Sequence, residues 1–508
     1  MGKEYFLEKA RQNEPEIYER EICTPHFGEP IPDASKWFQY HFEEREAPRG
    51  LGSGDSCYMD FGNHYVGYFS FKMDRGVHYP DAPVRVRIKL AENLYELESD
   101  YDNYVGGLQP SWLQQEIICI DEPSVIRLPR RYAFRYVKFT VETTLHPQPF
   151  GEFKITAVTS ADISACKPVV CVPELAAIDR VGVHTLENCM QRFFEDGPKR
   201  DRRLWLGDLR IQALTGYYTF HNVELVKKCM YLFAAYTEPG ERTPRAIYEN
   251  SYESLCDKSV LDDYALMFVV SLCDYYEHTQ DVALVDELFD IADSQLHIIC
   301  EGTEDGIIKE RDGFCAFIDW CDGLKKVTSM QGVLLYALDK MTWLCEQTGR
   351  SRKAEEYTEK AEVFRRAARE KLYDEEKGLF VNCQDDFQLS LHSQVWMVLG
   401  GVVKGEEAKE LLQRILLNTG KKDAVTPYMH HYTVEALIHA GMMREALQYI
   451  KEYWGKMVEL GADTYWEVFV PGNLSVSPYG NPVMNSCCHA WSCSAAYFIR
   501  RYFTRRNV

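Results

Sequence analysis

The sequence predicts a multidomain β + α chain: an antiparallel β-sandwich over residues 1–165, a linker at 166–176, and an (α/α)6 barrel over 177–508. Three observations carry that expectation. Apolar side chains alternate with a period of two in several stretches before about residue 165. A segment with two prolines follows, Ala165-Cys-Lys-Pro-Val-Val-Cys-Val-Pro173. Beyond it the apolar period becomes helical, in about twelve segments of ordinary helix length joined by short connectors.

In chain order, Phe69, Phe71 and Met73 mark a half-buried strand. Val84-Arg-Val-Arg-Ile-Lys-Leu90 alternates strictly, with Val84, Val86, Ile88 and Leu90 on one face and three cations on the other. Val137, Phe139 and Val141 repeat the pattern, as does Phe153-Lys-Ile-Thr-Ala-Val158. Turn-forming clusters at Gly50–Ser56 and His146–Gly151 separate them, the arrangement of an antiparallel sandwich. Gly50-Leu-Gly-Ser-Gly54 lacks the Lys-Ser/Thr of a phosphate loop, and Asp100-Tyr-Asp102 lacks the Gly and Glu of a calcium loop, so both read as turns.

In the second part, Leu186, Met190, Phe193 and Phe194 form one helical stripe, and Val260, Tyr264, Met267 and Phe268 another. Met330, Leu334, Ala337, Met341 and Leu344 form a third, then Met443, Leu447, Ile450, Trp454 and Met457, then Trp491, Ala495, Phe498 and Tyr502. Helical hairpins in sequence can close with six inner helices ringed by six outer ones, which brings loops from several hairpins to one end. An open α-solenoid is the alternative, but no fixed-period repeat is detectable.

Composition narrows the partners. The 508 residues carry 57 Lys and Arg against 77 Asp and Glu, a formal charge of −20, which argues against nucleic acid. No run approaches the roughly 18 apolar residues of a membrane helix, and the N-terminus shows no signal-peptide core, so no membrane partner is expected. Seventeen Cys without a regular framework suggest reduced thiols and a cytoplasmic location. The 32 Tyr and 9 Trp suit core and sugar faces alike. His430, His431 and His439 have no ligand partners at zinc spacing, so no metal is expected, and no Gly-x-Ser-x-Gly elbow occurs. Cys487-Cys488 reads as helix packing. A homo-oligomer is left open.

Two stretches concentrate chemistry. Glu195 to Asp208 packs Asp196, Asp201 and Asp208 with Arg200, Arg202, Arg203 and Trp205 between two helical segments. On its own this could be a salt-bridged loop, with Asp208 capping the next helix. The second stretch, Asp463-Thr-Tyr-Trp-Glu-Val-Phe-Val-Pro471, is β-like and aromatic, and in extended chain Glu467 shares a face with Tyr465 and Phe469. A carboxylate there must be paired or face a polar cavity. Two such carboxyls, one protonated and one ionised, are what glycosidic cleavage requires.

The run Asp196-x-Pro198-x-Arg200-Asp201-x-x-x-Trp205-x-Gly207-Asp208 resembles the catalytic motif of the bacterial α-L-rhamnosidases of glycoside hydrolase family 78. Phe134-Arg-Tyr-Val137 resembles the last strand of that family's β-domain, and Phe317-Ile-Asp319-Trp320 its central Asp-Trp motif. Thr464-Tyr-Trp466-Glu467 resembles its Thr-x-Trp-Glu motif, and Asn485 to Trp491 its closing His-containing helix. The resemblance implies Asp201 as general acid, where the family commonly has Glu, and Glu467 as general base of an inverting hydrolase without cofactor. It also implies that Asp196, Arg200, Trp205, Asp208, Asp319, Trp320, Trp466 and His489 surround a terminal α-L-rhamnosyl or similar deoxy-sugar of a small glycoside. An (α/α)6 glycosidase of other specificity and a catalytically silent sugar-binding relative are the alternatives.

Overall fold

The computed structural model describes residues 2–36, 38–78, 82–249, 254–418, 420–473 and 475–504. Nine strands among the described residues build the N-terminal part: β1 Tyr18–Ile22, β2 His26–Pro32, β3 Tyr40–Glu44, β4 Ser56–Met73, β5 Val84–Ala91, β6 Gln115–Ile120, β7 Val125–Arg127, β8 Tyr132–Thr143 and β9 Phe150–Thr159. They join one antiparallel sheet in the order β1-β9-β4-β8-β5-β6, with β2 and β7 attached to β4 and β3 to β2. The alternation in β5 is realised, Val84, Val86, Ile88 and Leu90 being fully buried.

The sheet does not stay open. Phe139 on β8 pairs across the ladder with Cys57, fourteen residues before Phe71, yet the rings of Phe71 and Phe139 lie 4.9 Å apart. In a straight strand Cys57 and Phe71 would be roughly 45 Å apart. The long strand β4 therefore bends, at the irregularity between Asp60 and Tyr65 where Gly62 takes a φ of +82°. The sheet folds over, and Phe69, Phe71, Phe139 and Phe153 fill the space between its halves. The Phe134–Val137 segment lies in β8, and β9 follows it, so it is not the last strand.

The helical part begins earlier than the sequence suggests, because Pro173 occupies the first turn of α3 (Pro173–Cys189), a position that suits a residue without an N–H. Eleven more helices follow among the described residues: α4 Leu206–Tyr217, α5 Val223–Tyr236, α6 Asp262–Thr279, α7 Val282–Glu301, α8 Val327–Gln347, α9 Ser351–Leu372, α10 Leu391–Leu399, α11 Gly405–Leu417, α12 Pro427–His439, α13 Met443–Glu459 and α14 Ser494–Tyr502. Two others lie in the N-terminal part, α1 Lys3–Gln12 and α2 Leu94–Glu98. Burial sorts the twelve into two kinds. Every residue of α4 and α10 is buried, as is nearly every residue of α6 and α12, whereas α9 and α13 bury one stripe each. The buried helices touch in succession, α4 on α6, α6 on α8, α8 on α10 and α10 on α12, and α14 rests on α4. Each is backed by an amphipathic neighbour: α5 on α4, α7 on α6, α9 on α8, α11 on α10, α13 on α12 and α3 on α14.

One element departs from the expected division. The short helix α1, which the sequence reading placed with the strands, packs on α5: Phe6 stacks on Tyr231 at 6.3 Å and Lys9 pairs with Glu287 at 2.8 Å. Its buried residues belong to the helical core.

Candidate active site

The loops that lead into the inner helices carry the chemistry. The loop 190–205 precedes α4, the loop 309–326 precedes α8, and the long segment 460–493 precedes α14. Asp208 does not cap α4. The helix starts at Leu206 with Trp205 as N-cap, so Asp208 lies within the first turn and is buried. Two glycines of this loop are needed for close approach. A Cβ on Gly207 would meet the Tyr264 ring at 2.6 Å, and one on Gly197 would meet the Arg200 carbonyl at 2.6 Å and the His489 ring at 3.2 Å.

Arg200 is the centre of the arrangement. Its Nη2 donates to both oxygens of Glu467, at 2.8 and 2.6 Å, and its Nη1 to Asp201 Oδ1 at 3.2 Å. Its Nε donates to the Met484 carbonyl at 3.2 Å, and its plane lies 4.2 Å from the Tyr479 ring centre. Glu467 also accepts from the Ser486 N–H at 3.0 Å and from the Tyr479 hydroxyl. Burial alone would raise this carboxyl, but the charges of Arg200 and His489 and the hydrogen bonds bring it down to about 2. Glu467 is therefore ionised across the neutral range. Asp201 differs in access: its side chain is 22% exposed, whereas that of Glu467 is 2% exposed.

The other acids of the loop have too few cations. Asp196 accepts the Arg203 N–H at 3.0 Å, and burial with the nearby charges of Asp201 and Asp208 pushes its carboxyl well above the usual range, His489 opposing. Asp208 Oδ1 is 3.5 Å from His489 Nε2, too long for a good hydrogen bond, and burial raises its carboxyl too. His489 is held protonated, at about 9, because Glu467 and Asp208 outweigh its burial. A carboxyl kept neutral can donate to a hydroxyl, an ionised one can only accept.

Aromatic rings close the surroundings. Trp205 meets Tyr264 edge-on at 6.4 Å, Phe317 stacks on Trp491 at 5.6 Å, and His489 lies 4.4 Å from Trp491. Trp320, 40% exposed, stands edge-on to Phe317 at 5.3 Å and to Tyr479 at 6.1 Å. The turn behind it is strained: Ile318, a β-branched residue, has φ +53°, and Asp263 holds the turn by accepting the N–H groups of Phe317 and Ile318.

Two of the expected residues do something else. The Asp319 carboxylate faces inward and accepts from His392 at 2.7 Å, from the N–H groups of Trp320, Val425 and Thr426, and from the Thr426 hydroxyl at 2.6 Å. Its oxygens are occupied in tying the start of α12 to α10, so it supports the wall instead of forming it. Trp466, in a stretch that bends at Glu467 and is not the expected strand, meets Phe469 edge-on at 5.6 Å. It packs on Phe38 at 5.2 Å, in a cavity it shares with Val468 and Val470. The expected closing helix is also absent: residues 485–489 are irregular, and α14 begins only at Ser494. Cys488 sits there against Cys189, sulfur to sulfur at 3.9 Å, in a loop and not in a helix.

Sequence reasoning missed Tyr479. It lies among Ser, Pro, Gly and Asn residues that read as a plain turn, and only the fold brings it over Arg200. Lys199 was also unassigned. It is buried against Glu92 at 3.1 Å and Glu96 at 3.2 Å, and donates to the Asn485 carbonyl at 3.0 Å. The β-part thereby fixes the loop from behind.

Residues 33–157 match the glycosyl hydrolase family 78 α-rhamnosidase N-terminal domain, and residues 171–503 match the bacterial α-L-rhamnosidase six-hairpin glycosidase domain. A solved rhamnosidase from Klebsiella oxytoca with rhamnose bound is 38% identical, with a TM-score of 0.94 over 98% of each chain. The family 78 rhamnosidase of Bacillus sp. GL1 shares the fold at 22% identity and TM-score 0.75, over 90% of this chain and 49% of that one. An α-L-rhamnosidase from Dictyoglomus thermophilum does so at 17% and 0.70, over 96% and 53%. No curated protein matches the chain.

Proposed function

The chain belongs to the α-L-rhamnosidase family, glycoside hydrolase family 78, and is a glycoside hydrolase; from that premise we propose that it is an inverting exo-glycosidase removing a terminal α-L-rhamnosyl, or similar deoxy-sugar, residue from small glycosides. In this reading it is a β-sandwich joined to an (α/α)6 barrel, and the loops at the N-terminal ends of the inner helices form the sugar site. Asp201 donates a proton to the leaving oxygen, and Glu467 takes a proton from the attacking water.

The observation that carries the reading is Arg200, whose two Nη atoms hold one carboxylate each. Asp201 and Glu467 are thus a single guanidinium apart, and in this reading their carboxyls stand far enough apart to admit a water between acid and base. The two sites also differ in the right sense: Glu467 is buried and ionised, and Asp201 reaches solvent where a leaving group would depart. Protonated His489 supplies a donor for sugar hydroxyls, Asp196 and Asp208 supply carboxyls that burial pushes upward, and Trp205 and Trp320 offer ring faces to the sugar. Asp319 positions the Trp320 turn.

Asp201→Asn and Glu467→Gln are each expected to lower hydrolysis of an aryl α-L-rhamnoside by about 10²–10⁴-fold, the usual worth of a general acid or base. Parental rates in both variants would remove these residues from the reaction. NMR of the first-formed sugar should show inversion, and retention would exclude water as the direct nucleophile. Asp201 is shorter by one methylene than Glu at that place, which favours a second reading: hydrolysis of a related sugar, visible as greater activity on another aryl glycoside.

A further inference from the structure

The β-part reaches the site through one carboxylate. Strand β5 ends at Ala91, and Asn93 then caps α2 by accepting the Glu96 N–H at 2.9 Å, while Glu96 Oε2 accepts the Glu92 N–H at 3.0 Å. That turn holds Glu92, whose side chain is buried together with those of Lys199 and His64. Glu92 Oε2 accepts the Cys487 N–H at 2.6 Å and lies 3.1 Å from Lys199 Nζ, and Oε1 lies 3.1 Å from His64 Nε2.

The two contacts of Oε2 lead to different stretches of the site. Lys199 immediately precedes Arg200 and Asp201. Cys487 immediately follows Ser486, whose N–H donates to the Glu467 carboxylate at 3.0 Å and whose carbonyl accepts the Glu467 N–H at 2.9 Å. Lys199 joins the two stretches again through its own bond to the Asn485 carbonyl at 3.0 Å. A single oxygen of the β-part thus touches both.

Glu92 is also the ionised member of a pair, since Glu92 and Glu96 share the Lys199 ammonium. Burial would raise Glu92, but the charge of Lys199 and the His64 hydrogen bond hold it below its ordinary value, whereas burial pushes Glu96 up to about 7 with Lys199 opposing. A buried ion pair adds little net stability, because taking both ions out of water offsets most of their attraction. Its use lies in fixing one arrangement of the segments that carry it.

On the roles given above to Asp201 and Glu467, we propose that Glu92 is a positioning residue for hydrolysis, holding the Lys199–Asp201 stretch and the Ser486–Cys487 stretch at the spacing the reaction needs. Its charge keeps Lys199 in place behind Arg200, and its Oε2 keeps the Ser486 N–H aimed at Glu467. A shift of about 1 Å at reacting groups costs about 10²-fold in rate even when its cause is remote.

The test measures kcat and KM on an aryl α-L-rhamnoside, with Tm alongside, for Glu92→Gln, Glu92→Asp, Lys199→Met and the double variant Glu92→Gln/Lys199→Met. Glu92→Gln is expected to lower kcat by about 10–10²-fold with KM near parental, and Glu92→Asp, which keeps the charge, to lose less. The double variant should lose no more than the worse single, because both break one contact. A lowered Tm with parental kcat and KM in the folded protein would make Glu92 structural only and overturn the proposal, as would single losses that multiply in the double variant. If Glu92→Gln does not fold, Glu92→Asp decides by the same criterion, and if neither folds, Lys199→Met does. Asp201→Asn and Glu467→Gln, assayed alongside, separate two failures: parental rates in them overturn the assignment of acid and base, whereas losses in them beside parental kcat in the Glu92 variants overturn the positioning role alone.

Discussion

Two buried arginines ten residues apart, Arg200 and Arg210, each hold a pair of carboxylates, and their surroundings could hardly differ more. Arg210, deep in the helical part, donates its Nε to Asp274 at 2.9 Å and two nitrogens to Glu435 at 3.0 Å each. Tyr336 accepts from it at 2.8 Å and donates to Glu435 at 2.7 Å, and Lys340 adds a second cation on Asp274 at 2.7 Å. Burial would raise both carboxyls, but Arg210 and Lys340 hold Asp274 below its ordinary value, and Arg210 holds Glu435 well below. Around Arg200 four acids, Asp196, Asp201, Asp208 and Glu467, share Arg200 and His489. There Glu467 is stabilised as an anion, whereas Asp196 and Asp208 are pushed upward. A balanced network holds the fold together. An unbalanced one drives its carboxyls in opposite directions, which is the condition general acid–base chemistry exploits.

Substitutions at the two arginines should separate these roles. Arg210→Met leaves two buried carboxylates short of their partner, and is expected to cost about 3–5 kcal/mol of stability by denaturant titration, with kcat of the surviving fold near parental. Arg200→Met should do the reverse in emphasis. Losing the charge that orients Glu467 is expected to lower kcat/KM by about 10²–10³-fold on an aryl rhamnoside, and to move the acid limb of the rate profile upward as the burial of Glu467 loses its main opposing charge. Equal effects of the two substitutions on kcat would erase the contrast.

The pH dependence sharpens it further. Glu467 has a folded-state value near 2 against an ordinary 4.5, so its share of stability is complete above about pH 4.5 and is lost as pH falls toward 2. That share is about 3 kcal/mol. His489, raised from 6.5 to about 9, contributes fully below pH 6.5 and loses its contribution as pH rises through 9. Asp196 and Asp208, raised by burial, act against Glu467 and are relieved on acidification. The difference in Tm between parent and Glu467→Gln should therefore shrink as pH falls from 5 to 3. A constant difference would mean that Glu467 is not the group held low. The smallest effect is expected from Tyr479→Phe, which removes one hydroxyl from Glu467 and leaves the ring over Arg200. A loss of about 1 kcal/mol, or roughly fivefold in kcat/KM, is the expected outcome.

Much of this was legible in the residues. Period-two alternation marks β5, β8 and β9, because a sheet with one face in a core leaves that pattern, and the helical period sets in with α3 at Pro173. Asp196, Arg200, Asp201, Asp208, Glu467 and His489 do come together. What escaped depended on direction and on distant partners. Trp466 and Glu467 are adjacent in sequence, yet one packs on Phe38 and the other pairs with Arg200. Asp319 looked available until His392 and Thr426, both more than 70 residues away, were seen to occupy its oxygens. Tyr479 sits in a turn-like stretch with no periodicity, and its place over Arg200 is set by the β-part, where Gly107 N–H donates to its carbonyl at 2.8 Å. Such contacts leave no local pattern to read.

The position of α1 has a consequence for any attempt to divide the protein. Phe6 and Lys9 find their partners at Tyr231 and Glu287, so the chain leaves the helical body after residue 12, builds the whole sheet, and returns at residue 173. The sheet is an excursion from the helical body, not a preface to it. A ribosome must deliver the chain through α5, to Tyr236, before the first helix can settle on it. A cut near residue 165 would leave an exposed amphipathic helix on one fragment and an uncovered face of α5 on the other, and the two fragments would be expected to find each other when expressed together.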